Sequence, residues 1–213
     1  MSHIITVAQQ KGGCGKTTIA VNLAAWFAKS RRVALLDIDP QHSAARWFKL
    51  RQKHPGLAAI SFSDVAGWRL AGELSRLRAG HDLIVIDSPP QVETDARLAV
   101  RAADLVLVPV QPSAPDVWAA EATFAVARAE KRTVRIVLNR VPATNTKLTD
   151  QIRQLIADQG TATLGSVITN RTGFAEAFLG GYGVHEAAPK SRAAEEMRAM
   201  AEETWALLPG DKK

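Results

Sequence analysis

Short apolar runs recur along the chain at Ile4–Ala8, Val33–Asp37, Ala59–Phe62, Leu83–Ile86, Leu105–Val108 and Val134–Leu138. They are aliphatic and β-branched almost throughout rather than alternating, which is the pattern of strands covered on both faces. Between them, apolar residues return at helical spacing over Thr17–Lys29, Ser43–Lys53, Trp68–Arg78, Thr94–Ala102 and Val117–Ala129. Strand and helix alternating in this way predict a single-domain α/β fold: a doubly wound, mostly parallel sheet with helices on both faces. After Asn139 the pattern loosens into a polar loop at Pro142–Thr146, a helix over Lys147–Asp158 and a short strand near Leu164–Ile168. A loop-rich segment around Gly180-Gly181-Tyr182-Gly183 and a terminal helix over Ser191–Leu207 follow. One domain is expected over residues 1–208, with 209–213 frayed.

Composition narrows the function. At 46% hydrophobic, 213 residues suffice for one substantial core. No apolar stretch approaches membrane-spanning length, and the N-terminus runs directly into a strand, so the chain is expected to stay in the cytoplasm. Cys14 is the only cysteine, which rules out an internal disulfide and makes redox chemistry a poor reading. The net charge of +6 favours polyanions in general. The excess sits in the first hundred residues, where 13 Lys and Arg face 8 Asp and Glu, against 14 and 13 in the remainder.

The chemistry begins after the first strand. Gln9-Gln10-Lys11-Gly12-Gly13-Cys14-Gly15-Lys16-Thr17-Thr18 precedes an apolar helical run, the strand, loop and helix context of a phosphate-binding loop. Gly12, Gly13 and Gly15 let successive backbone N–H groups turn toward phosphate oxygens, and the following helix adds its positive end. Lys16 would neutralise the outer phosphates, and the Thr17 hydroxyl is placed to coordinate Mg²⁺. The general loop pattern has glycine where this chain has Gln10, with Lys11 beside it. Two further strands deliver carboxylates to the same edge: Leu35-Leu36-Asp37-Ile38-Asp39-Pro40-Gln41, and Leu83-Ile84-Val85-Ile86-Asp87-Ser88-Pro89-Pro90. The second fits the Mg²⁺-organising strand of a phosphate-loop ATPase.

The string Lys-Gly-Gly-x-Gly-Lys-Thr-Thr, with Asp-x-Asp-Pro-Gln and Asp-Ser-Pro-Pro in order behind it, resembles the ParA/MinD superfamily of deviant Walker-type ATPases. The likeness is greatest to short ParA-type partition and positioning ATPases without an N-terminal DNA-reading domain. It extends to Val108-Pro109-Val110-Gln111-Pro112-Ser113 and Val137-Leu138-Asn139-Arg140, and weakens after about residue 145. The resemblance implies that ATP and ADP bind with Mg²⁺ on residues 12–18. It gives Lys11 a contact across an ATP-dependent homodimer and Asp39 the attacking water. Asp37 and Asp87 act around Mg²⁺, and Asn139 sits at the adenine, although Asn ending a strand is also an ordinary turn former.

The same resemblance implies non-specific DNA binding in the ATP state and an association with the nucleoid. Arg171 lies where the family often has a DNA-contacting arginine, and Lys190, Arg192 and Arg198 are candidates to join it. Solvated helix charges are the alternative reading for these residues, and for the exposed-looking face of Arg46, Lys49 and Lys53. An adaptor of ParB type would stimulate slow hydrolysis, and the output would be movement of plasmid, chromosomal or protein cargo. Two other readings of the fold stay open: a membrane-surface positioning ATPase, and an ATP-coupled metabolic or assembly enzyme. The acidic terminal helix, with Glu195, Glu196, Glu202 and Glu203 against Arg192 and Arg198, disfavours the first.

Overall fold

A computed structural model describes residues 2–90, 94–144 and 146–210. The sheet has seven parallel strands: β1 (His3–Val7), β2 (Val33–Asp37), β3 (Ile60–Asp64), β4 (Leu83–Asp87), β5 (Leu105–Val110), β6 (Thr133–Val141) and β7 (Thr163–Thr169). Their spatial order is β3-β2-β4-β1-β5-β6-β7. Four of them, β1, β2, β4 and β5, are buried at every position, which is why their sequences are mostly aliphatic rather than alternating. β1 lies between β4 and β5, so the chain winds outward from it in both directions and leaves a crevice above its C-terminal end.

Alternate side chains along each strand feed opposite layers. Ile5, Val7, Leu35, Val85 and Leu107 pack under α1 (Lys16–Ala28), α2 (Ser43–Arg51), α7 (Thr172–Gly180), α8 (Val184–Ala187) and α9 (Arg192–Ala206). On the other face, Ile4, Leu36, Ile84 and Ile86 pack under α3 (Leu70–Arg78) and α4 (Thr94–Ala102). Val106, Val108, Ile136 and Leu138 meet α5 (Ala114–Ala129) and α6 (Thr146–Asp158). The apolar side of α9 is spent in this core: Ala193, Ala194, Met197, Met200 and Ala201 are all buried. No helix among the described residues is long and apolar enough to cross a membrane.

Two local differences from the sequence reading bear on the site. The segment expected to be loop-rich before Gly180 forms α7. Its glycines, Gly173 and Gly180, lower helix propensity, yet Phe174 and Ala177 bury one face and Gly181 ends the helix in a left-handed turn at φ 75°. A side chain at Gly181 would stand 2.4 Å from the Arg51 backbone nitrogen, so α2 and α7 can meet only over a glycine. The other difference is that α5 starts three residues earlier than expected, at Ala114. Ser113 Oγ accepts the Asp116 N–H and Pro115 occupies the first turn, which brings Asp116 into the helix start. Of the tail expected to fray, residues 211–213 lie outside the described residues.

Behind α2, Arg51 and Glu186 form a buried bidentate pair at 2.7 and 2.8 Å. The adjacent His185 is also buried, packed edge-on to Trp26 with ring centroids 5.1 Å apart, and neither ring nitrogen has a hydrogen-bond partner. Burial pushes its imidazole below the usual histidine value; Glu186 opposes the shift, while Lys29 and Arg51 reinforce it. Its contribution to stability is therefore complete above about pH 6.5, the ordinary histidine value, and is lost as pH falls through the lower folded value. Urea unfolding midpoints should decline from pH 7 to pH 5 in the wild type, and His185→Leu should flatten that decline; an equal decline in both would remove His185 as its source.

Candidate functional site

The phosphate-binding loop is held from three sides. At its end Gly15 has φ 97° and serves as the residue before α1. Asn139, at the end of β6, donates from Nδ2 to the Cys14 carbonyl at 2.7 Å. A β-carbon on Gly15 would lie 2.3 Å from that same Nδ2. Gln9 Oε1 accepts the Gln10 N–H at 2.8 Å, so the position where the general pattern has glycine is fixed by a neighbouring side chain. The first turn of α1 carries no acidic residue, leaving its N–H groups and positive end to an anion. Gly15→Ala should lower nucleotide affinity about tenfold or more, because the left-handed backbone alone costs about 1–2 kcal/mol and Asn139 must also move. Titration with a fluorescent ATP analogue checks it; wild-type affinity would mean the loop does not need this turn.

A cavity of about 600 Å³ opens over the loop, lined by Gly12, Gly13, Gly15, Lys16, Thr17 and Thr18. That volume suits a nucleotide. Its far wall is Asn139, Arg140 and Ile168 from the ends of β6 and β7, with Phe174 and Phe178 from α7. Those two aromatics escaped the sequence reading with the helix that carries them; their spacing of four residues was the available signal. Lys16 is buried, with its ammonium reaching back toward the Lys11 carbonyl at 3.4 Å. Cys14 is fully buried, and that burial pushes its thiol up, which disfavours the thiolate.

The carboxylates converge through strand register. Asp37 and Asp87 are direct partners on β2 and β4, and Val7, where β1 gives way to the loop, is the other partner of Asp87. Asp87 is fully buried, and neither of its oxygens has a partner in hydrogen-bond geometry. Burial first, then the Asp37 charge, push its pKa up to about 8, with the nearby Thr17 hydroxyl and Lys16 opposing. An unpartnered acid beside Thr17 fits a cation bound together with phosphates. Asp37 is raised by burial too, but it accepts the Asp39 N–H at 3.1 Å and the Ala45 N–H at 3.0 Å. It therefore shapes the turn into α2. Asp39 lines the cavity, and its Oδ1 accepts the Gln41 N–H at 2.9 Å.

Lys11 is engaged within its own chain. Its Nζ lies 2.6 Å from Asp116 Oδ2, and Ser113 Oγ donates to the same oxygen at 2.5 Å. Asp116 is buried whereas the Lys11 side chain is 42% exposed, so the pair sits at the rim with its charge open to a second claimant. Asp116 was absent from the sequence candidates; the Ser113-Ala114-Pro115-Asp116 helix-start pattern was its only mark. The other basic candidates divide. Arg171 lines the cavity but gives Nε and Nη2 to Glu196 at 3.0 and 2.8 Å. Lys190, Arg192 and Arg198 are exposed, with no carboxylate partner among the described residues, as are Arg46, Lys49 and Lys53.

A phosphate loop on β1, carboxylates on β2 and β4 and an anchoring Asn on β6 agree with a family model that matches the chain over residues 5–182, the CobQ/CobB/MinD/ParA nucleotide binding domain. The chain belongs to this family. The chromosome-partitioning ATPase Soj of Thermus thermophilus is 33% identical over 242 residues, covering 96% of this chain and 96% of Soj. The maintenance of carboxysome distribution protein A of Halothiobacillus neapolitanus is 29% identical over 202 residues, covering 89% and 90%. The solved cell division ATPase MinD of Pyrococcus furiosus superposes with a TM-score of 0.83 at 19% identity, covering 97% of this chain and 100% of that one, a likeness of fold.

Proposed function

We propose that this family member is a slow, ATP-hydrolysing switch that dimerises on ATP, binds DNA without sequence preference in that state, and is reset by an adaptor of ParB type. The observation that carries the reading is the loop itself: a phosphate cradle with the unpartnered acid Asp87 beneath it and a half-exposed Lys11, paired with Asp116, at its start. Lys16 would hold the outer phosphates, Asp39 would orient the attacking water, and Lys11 of a second copy would close the site from above. Thr17, with Asp37 and Asp87 through water, would hold Mg²⁺, which when bound draws charge off the phosphates. Hydrolysis is then in-line transfer to water, driven by positioning and charge.

The relatives named for chromosome partitioning and carboxysome distribution support a positioning output on the nucleoid, with cargo too large to find its place by diffusion. Arg171 is committed to Glu196, so the DNA contacts would fall first to Lys190, Arg192 and Arg198. The burial of the apolar side of α9 supports this reading over a membrane-surface one. Binding to a fluorescent DNA duplex should require ATP and weaken by orders of magnitude between about 50 and about 200 mM salt if six or more phosphates are neutralised. Equal binding with ADP, or a flat salt response, would sink it. ATP turnover measured with and without DNA tests the enzyme half separately.

A further inference from the structure

Away from the nucleotide, a second cavity of about 510 Å³ runs between α3 and α4. Its floor is apolar, built from buried Leu70 and Leu74 with half-buried Leu98 and Ala102. At one mouth stands Trp68, 77% exposed, on the 3-10 turn Gly67–Arg69. A tryptophan left open beside an apolar trough on a chain with a full core is characteristic of a binding surface, where Trp and Arg supply most of the energy.

The rim is cationic. Arg78, Arg101 and Arg132 line the groove, and Arg69 lies over the Trp68 ring at 5.6 Å. Arg101 shares Glu130 with Arg97. Arg78 and Arg132 have no carboxylate partner among the described residues, and Arg132 Nε is buried without an acceptor. A buried donor without a partner is costly, and two groove-lining guanidinium groups without carboxylate partners favour an anionic occupant. The acids nearby do not: Glu73 is spent on Arg76 and Ser63, and Asp95 packs against Gly67 at the opposite wall.

Both walls descend from the edge that carries the chemistry. The 3-10 turn follows the end of β3, whose Asp64 is the register partner of Asp37, and α4 follows β4 and Asp87. We infer that the α3–α4 groove is a docking site for an acidic protein segment carrying a bulky apolar side chain. The docking does not rest on the switch reading above. A nucleic acid would satisfy the arginines but leave the leucine floor unfilled, so protein is favoured.

The probe is a fluorescein-labelled synthetic helical peptide, rich in Glu, with Leu and Phe four residues apart. Its lysine-substituted counterpart and a labelled DNA duplex serve as comparisons. Full-length protein should bind the acidic peptide in anisotropy titrations and not the basic one. Trp68→Ala and Arg78→Glu, both changes at exposed positions, should each weaken binding tenfold or more while leaving the thermal midpoint unchanged. Absence of peptide binding, or wild-type affinity in both variants, would overturn the site. A loss of duplex binding in these variants with peptide binding unaltered would overturn it in favour of nucleic acid. The titration is run without nucleotide, so a protein that binds the peptide and never hydrolyses ATP refutes the switch and leaves the groove standing.

Discussion

Lys11→Ala should abolish the ATP-dependent dimer while leaving the monomer's affinity for ATP within about threefold, because Lys11 does not line the cavity that Lys16 and the glycine backbone form. The structure adds a competitor. With Nζ at 2.6 Å from Asp116, the lysine must leave an intrachain partner before it can reach phosphate on another copy. Half-exposed on the lysine side, that pair is worth toward the lower end of a charge-assisted hydrogen bond, about 1.5 kcal/mol. Asp116→Asn keeps the oxygen that Ser113 contacts and removes the charge, so it should promote the dimer about tenfold at a given ATP concentration. Sedimentation with ATP and with ADP measures both variants. A Lys11→Ala protein that dimerises as the wild type does would strip Lys11 of its role; an Asp116→Asn protein that gains nothing would mean the pair does not compete.

What could be read from the sequence follows from how local each cause is. β2, β4 and β5 are legible because strands covered on both faces show no polar alternation, the only charged positions being the terminal Asp37 and Asp87. The loop is legible because Gly15 and Lys16 are demanded by backbone and charge within a few residues. α7 was not, since its helix is stabilised by Phe174 and Ala177 packing into the core and by the close approach of Gly181 to α2, none of which its own glycine-rich sequence announces. The same holds for pairings across the chain. Lys11 with Asp116 spans 105 residues, and Arg171 with Glu196 spans 25. A family resemblance could assign both basic residues outward roles, but only the fold reveals that each is already answered by an acid.

The two aspartates of the first carboxylate motif separate in the same way. Sequence alternation places Asp37 and Asp39 on one side of the chain, yet Asp37 is turned onto the backbone of Asp39 and Ala45 whereas Asp39 faces the cavity. One residue builds the turn and the other is presented by it. Replacing Asp37 would therefore disturb the turn as well as the Mg²⁺ role proposed for it, whereas Asp39 is the acid presented to the cavity.

Asp39→Asn should therefore be the more informative variant at the reactive end of the site. Asparagine retains an oxygen to accept the Gln41 N–H, now at 2.9 Å from Oδ1, so the turn survives while the charge that would orient and deprotonate water is gone. Turnover should fall by about 10²-fold or more, the usual scale for losing a positioned base, with ATP still bound. Asp39→Ala should lose the same turnover and also loosen the turn, adding a drop in nucleotide affinity that the asparagine variant does not share. Under the switch reading both proteins accumulate as ATP dimers, since assembly continues when resetting stops. Single-turnover hydrolysis and sedimentation, run side by side, resolve these effects. If Asp39→Asn hydrolyses ATP at the wild-type rate, the water belongs to another residue; if it neither hydrolyses nor dimerises, Asp39 works through the shape of its loop rather than through its charge.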